Sequence, residues 1–156
     1  MTLPQSENLS ALVDFEQLST EEIHTLLTPL GFNDCDAVFH VLRRLFSAPE
    51  SGAWRAELVP YLLTRASSSA NPDQVIVNLD RFLLNVPDRA RLTRFLVENQ
   101  RGVDILAVLF AGSQFLTETL LRSPEYLERL VQHQHLSQPH NVADLYHEAR
   151  QVLERF

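Results

Sequence analysis

The sequence predicts an all-α fold, a compact multi-helix array of about eight or nine short helices with no sheet. Three observations point that way. Apolar residues recur three and four positions apart along almost the whole chain. Helix-starting groups such as Ser19-Thr20-Glu21-Glu22 and Asn71-Pro72-Asp73 punctuate that pattern. No segment keeps the two-residue alternation of a strand, and the chain has only 4 glycines, few for an all-β or nucleotide-cradling fold.

The elements follow in order. Residues 1–18 read as a partly ordered lead segment, and 19–156 as a single helical domain. Ser19 and Glu22 form a capping box in which each satisfies the other's backbone N–H. Ile23, Leu26, Leu27 and Leu30 line the helix that follows, and Pro29 and Gly31 end it. Asn33 or Asp34 caps the next helix, with Val38, Val41, Leu42, Leu45 and Phe46 on one face. Pro49 to Gly52 breaks the chain. Trp54, Leu58, Tyr61 and Leu62 form a third stripe, and Pro60 within it predicts a kink or a helix start.

Asn71-Pro72-Asp73 opens the best-signalled helix: a cap, a proline at the first position and an acid in the first turn. Val75, Leu79, Phe82, Leu83 and Val86 face its core side, with Gln74, Asn78 and Asn85 elsewhere on the wheel. Pro87-Asp88 separates it from a helix carrying Leu92, Phe95 and Leu96, which ends near Asn99 to Gly102. The run from Ile105 to Ala111 is apolar all round and predicts the buried centre of the domain; a strand is the rival for so short a run, and the helical spacing on both sides disfavours it. Gly112 is expected just past that helix's end with φ > 0, and Ser113 and Ser123 as the caps of two further helices, with Pro124 at a first helical position. Asn141 caps a last helix whose stripe is Val142, Leu145, Ala149, Val152, Leu153 and Phe156. That helix reaches the final residue without a cap, so a piece of a longer protein is expected.

Composition narrows the function classes. All 13 basic residues are Arg, against 20 acids, for a formal charge of −7. No phosphate-loop or Schiff-base lysine is available, and net acidity argues against a nucleic-acid partner. The single Cys35 excludes an internal disulfide and a cysteine-based zinc cluster. The first residues lack a cationic region before a long apolar one, and no stretch reaches membrane-spanning length, so no membrane partner and a cytoplasmic location are expected.

The chemistry-bearing residues are sparse. His133, His135, His140 and His147 cluster late without an acid in ligand spacing, and read as solvated histidines; His24 and His40 read as structural. Cys35 sits between Asp34 and Asp36, which disfavour a thiolate, and the two acids read as cap and first-turn residues. Glu118, Glu125 and Glu128 offer no paired carboxylate by spacing. Arg81, Arg94 and Arg122 lie beside apolar stripes, where an arginine buries its stem, meets a helix C-terminus or serves docking. No catalytic, cofactor or metal residue is assigned.

Three phrases carry a resemblance. Asn71-Pro72-Asp73…Asn78-Leu79-Asp80-Arg81-Phe82-Leu83, then Leu109-Phe110-Ala111-Gly112-Ser113-Gln114-Phe115-Leu116, then Leu120-Leu121-Arg122-Ser123-Pro124-Glu125-Tyr126-Leu127 occur in an order and spacing similar to the N-terminal region of bacterial glutamine-synthetase adenylyltransferase/adenylyl-removing enzymes. The resemblance covers about Asn71 to Leu130. It implies that Asn71, Pro72, Arg81, Phe82, Phe110, Gly112, Ser113, Phe115, Arg122, Pro124 and Glu125 are structural or docking positions. Family catalysis uses a Gly-Ser pair and, about ten residues on, an Asp-x-Asp that holds Mg²⁺ on ATP. Gly112-Ser113 is not that pair, since no Asp lies between Ser113 and Asn141. ATP and Mg²⁺ are therefore expected only in a downstream catalytic domain. The implied role is a non-catalytic helical portion that docks to that domain or shares in binding glutamine synthetase; the alternative is a free-standing helical interaction module related to the family.

Overall fold

A computed structural model describes residues 11–47, 54–132, 146–147, 149–151 and 154. Among them there is no strand. Eight α-helices follow one another: α1 Thr20–Leu27, α2 Cys35–Leu45, α3 Arg55–Ser67, α4 Pro72–Leu84, α5 Arg89–Glu98, α6 Gln100–Gly112, α7 Gln114–Arg122 and α8 Tyr126–Gln132. Two 3-10 turns, Leu12–Gln17 and Thr28–Leu30, flank α1, and residues 146–147 and 149–151 are helical.

The predicted caps explain the helix starts. Ser19 accepts from the Glu22 N–H while the Glu22 carboxylate accepts from Ser19. Asp34, of the two candidates, caps α2 by accepting from Ala37. Asn71 caps α4 with Pro72 at its first turn, and Ser113 caps α7. Gly31 has φ 95°, the left-handed region that glycine enters without a Cβ penalty, and it turns the chain after α1. The cap expected at Asn141 and the last stripe, apart from Ala149, lie outside the described residues.

α6 is the central helix. It touches α3, α4, α5, α7 and α8, and Val103, Ile105, Leu106, Ala107, Leu109 and Phe110 are buried along it. An apolar helix stays stable there because most of its circumference meets other apolar stripes, while Asp104, Val108 and Ala111 mark a partly exposed side. Phe82 of α4 meets Phe110 with ring centroids 5.8 Å apart. Leu12 and Phe15, within the expected lead segment, are fully buried in the same core.

Several local expectations need correction. Gly112 does not adopt positive φ; it is the last residue of α6, and the extended backbone of Ser113 (φ −129°, ψ 101°) ends that helix and caps the next. One residue makes the whole junction, so no left-handed residue is needed. α6 also starts earlier than expected, at Gln100, and takes in Gly102, because α5 stops at Glu98 and only Asn99 intervenes. Pro60 neither starts nor ends a helix: α3 runs through it from Arg55 to Ser67, losing a single backbone bond. Pro124 lies in a turn before α8, where Tyr126 N–H donates to the Ser123 carbonyl; the helix begins at Tyr126.

The buried polar side chains are Asn78, Thr93 and Thr117, among the described residues. All three donate to carbonyls in the last turn of another helix. Asn78 reaches Phe110, Thr93 reaches Leu45 and Thr117 reaches Leu109, at 2.9, 3.1 and 3.0 Å. The last four carbonyls of a helix lack partners within it. Burying them is tolerable only because another element supplies a donor.

Candidate functional site: the cleft at the end of α6

The resemblance-bearing positions converge where α6 ends. α4 contributes Gln74, Asn78 and Arg81, with Asn71 at its head; the α6–α7 junction contributes Phe110, Gly112 and Ser113; α7 adds Thr117 and Glu118. Between them lies an open cleft of about 460 Å³. Phe110 lines it, and the carbonyls at the end of α6 beside it each have a donor. Val108 accepts from the Tyr146 hydroxyl at 3.0 Å, Leu109 from Ser113 N–H and Thr117, and Phe110 from the Asn78 amide. Its wall is a chain of charge-assisted bonds: Arg81 donates to Glu118 at 2.9 Å and to the Asn78 side-chain oxygen at 3.3 Å. Asn78 was read as lying off the core face; at 5% exposure it is instead the polar pin between α4 and α6. Its spacing alone, three residues after Val75, carried that signal.

Gly112 leaves room here for a tyrosine. A Cβ on it would overlap the Tyr146 hydroxyl. The glycine thus admits the tyrosine that satisfies Val108.

The remaining positions separate from this cleft. Phe82 is fully buried; it also floors a small apolar groove of about 140 Å³, whose far side is the Pro124–Glu125 turn. Pro72 is the first residue of α4. Phe115 is half exposed, with the Arg150 guanidinium 4.8 Å above its ring. Arg122 donates to the Glu118 carbonyl on its own helix. The structure therefore gathers Asn71, Arg81, Phe110, Gly112 and Ser113, and places Phe82, Pro124 and Glu125 together elsewhere.

Four acids are held by arginines from neighbouring helices. Arg44 meets Asp80 at 2.7 Å, Arg65 meets Asp104 at 2.9 Å, Arg81 meets Glu118 and Arg91 meets Glu128. Asp73 holds the Asn33–Asp34 loop, accepting from Asn33 N–H at 3.0 Å, its side-chain amide at 2.9 Å and Asp34 N–H at 3.1 Å. Sequence reading assigned Asp73 only to the first turn of its own helix. Tyr61 donates to Asp104 at 2.8 Å; burial first, then that carboxylate, pushes the Tyr61 hydroxyl above its ordinary pKa. Burial does the same to Tyr146. Cys35 is buried near Thr28 and the Phe32 carbonyl. His24 lies 3.4 Å from Asp36, and His147 contacts Gln151. Among the described residues no three His, Cys, Asp or Glu side chains gather as a metal site, and no helix is long and apolar enough to cross a membrane. His133, His135 and His140 lie outside them.

Comparison with known proteins finds relatives of the chain. The chain is similar to the bifunctional glutamine synthetase adenylyltransferase/adenylyl-removing enzyme of Pseudomonas aeruginosa, 31% identical over 150 residues that cover 90% of this chain and 15% of that protein. The enzymes of the same name from Bradyrhizobium diazoefficiens and Xanthobacter autotrophicus are 29% and 30% identical over 112 residues, covering 67% of this chain and 11% of each of theirs. No family model and no solved structure matches. The chain spans about a seventh of the length of the first of these relatives, and over that helical segment it belongs to the glutamine synthetase adenylyltransferase/adenylyl-removing family.

Proposed function

We propose that this chain is a non-catalytic helical portion of an enzyme that transfers AMP to and from glutamine synthetase, and that it docks to the rest of that enzyme. The observation that carries the reading is on α4. Val77 and Leu84 are seven residues apart, two helical turns on one side, and they face solvent at 45% and 56% exposure. They flank Arg81 on the helix where the resemblance is densest. An apolar pair held on a rigid helix suits a permanent partner better than a transient one. The occupant is the remainder of the parent enzyme, since the matched relatives extend far beyond the matched segment.

The chemistry supports the same reading. Nucleotidyl transfer needs a divalent metal on the phosphate oxygens, held by clustered acids. Here Asp80, Asp104, Glu118 and Glu128 are held by arginines from neighbouring helices, where they fix helix positions. ATP and Mg²⁺ belong in this reading to the catalytic part. A share in binding glutamine synthetase and a cytoplasmic location belong to the same proposal, and the family assignment supports them.

The test mixes this chain with a catalytic segment lacking it and measures association by calorimetry. A complex weakened by Val77→Glu and Leu84→Glu supports docking. A folded segment that fails to associate overturns it. Separately, the chain with ATP, Mg²⁺ and glutamine synthetase should transfer no AMP; measurable transfer overturns the non-catalytic assignment.

A further inference from the structure

A concentration of positive charge lies away from the cleft, between α2 and the start of α5. His40, Arg43 and Arg44 of α2 and Arg89 of α5 line one open depression of about 290 Å³. The chain carries a formal charge of −7, so three guanidiniums around one hollow run against its overall balance. Only one carboxylate is paired there: Asp80, 2.7 Å from the Arg44 Nε. Asp88 precedes Arg89 in sequence, but its carboxylate accepts from the Arg91 N–H and serves as the α5 cap.

Arg43 and Arg89 are held in place without being neutralised, whereas Arg44 shares its charge with Asp80. Arg43 lies over the Phe39 ring, 5.6 Å from its centroid. Arg89 donates its Nε to the Leu83 carbonyl at the end of α4, at 3.2 Å. A ring face and a carbonyl orient a guanidinium but leave its charge intact, and among the described residues neither Arg43 nor Arg89 has a carboxylate within ion-pair distance. Fixed guanidinium forks are matched to the oxygens of a phosphate or carboxylate, and pre-orientation lowers the ordering entropy on binding. The hollow lacks apolar walls, so charge and hydrogen bonding would supply the affinity.

We propose that the His40–Arg43–Arg44–Arg89 depression is an oxyanion-binding site, taking the phosphoryl or carboxylate group of a ligand between α2 and α5. Both sources present the same charged oxygens, and two probes separate them. The intact chain, labelled with ¹⁵N, is titrated with inorganic phosphate and, in parallel, with succinate. The expected result is saturable shifts confined to the Arg43, Arg44 and Arg89 side chains and the His40 ring. Tighter binding of phosphate assigns a phosphoryl group, and tighter binding of succinate assigns a carboxylate. Arg43→Gln and Arg89→Gln together should weaken the preferred anion by about tenfold or more, the loss of two charge-assisted bonds. Arg94→Gln, whose guanidinium is paired with Glu98 on the surface, should leave it unchanged. Wild-type shifts spread evenly over the arginines, or no saturation with either anion, overturn the proposal whatever the variants do.

Discussion

The Asn78 amide donates to the Phe110 carbonyl across 32 residues of chain, at 2.9 Å. That carbonyl belongs to the last turn of α6, where no following N–H is in reach, and it is buried. Replacing Asn78 with Leu keeps the volume and leaves the carbonyl unanswered. We expect a loss of about 1–3 kcal/mol in urea unfolding. Stability equal to wild type would mean that water or a backbone shift supplies the missing donor.

Gly112→Ala tests the corrected role of that glycine. The new methyl would overlap the Tyr146 hydroxyl, so the variant should lose about 1–3 kcal/mol. In a Tyr146→Ala background, the same change should cost much less. Equal costs in the two backgrounds would show that Tyr146 is not what the methyl displaces.

Alkaline unfolding should report two half-buried tyrosines. Tyr61 is raised by burial and by Asp104, and Tyr146 by burial. The folded state therefore keeps these protons when the unfolded chain has begun to lose them. Their contribution is complete below the unfolded tyrosine value of about 10 and declines as pH climbs through the higher folded values. The chain has no lysine to ionise in that window. Tyr61→Phe should make the decline shallower, measured as melting temperature against pH. A steeper decline would reverse the assigned sign.

Asp73→Ala removes three bonds to the Asn33–Asp34 loop as well as a first-turn charge on α4. A loss of about 1–3 kcal/mol is expected. Asp36→Ala, at an exposed first-turn acid of α2, should cost a few tenths of that. Hydrogen exchange at Asn33 and Asp34 separates the loop from the helix: both amides should lose protection in Asp73→Ala alone.

Local signals were legible and long-range ones were not. The Ser19–Glu22 box, the Asn71-Pro72 start and the Ser113 cap follow from bonds within four residues, which a linear reading can find. The buried run around Leu106 also shows itself, since no polar face interrupts it. Asn78, Asp73 and Tyr146 act on residues tens of positions away, and no spacing rule encodes which carbonyl or N–H they meet. The sequence puts Gly112 just past a helix end with positive φ, one residue too late and for another reason: its neighbour Ser113 does the turning, while the glycine closes α6 and makes room for a ring from the far end of the chain.

Apolar stripes are tolerant along a helix axis. Sliding α6 by one turn, about 5.4 Å, would set one branched side chain where another had been. The donors at Asn78, Thr93 and Thr117 do not tolerate such a slide, because each meets a carbonyl at a single level. They act as detents, each setting one helix at one notch against its neighbour. A segment carrying apolar residues at all three sites should keep its helix content and its bulk, yet sample several notches. Such a bundle would show broadened side-chain resonances, and any partner docked on it would inherit that play.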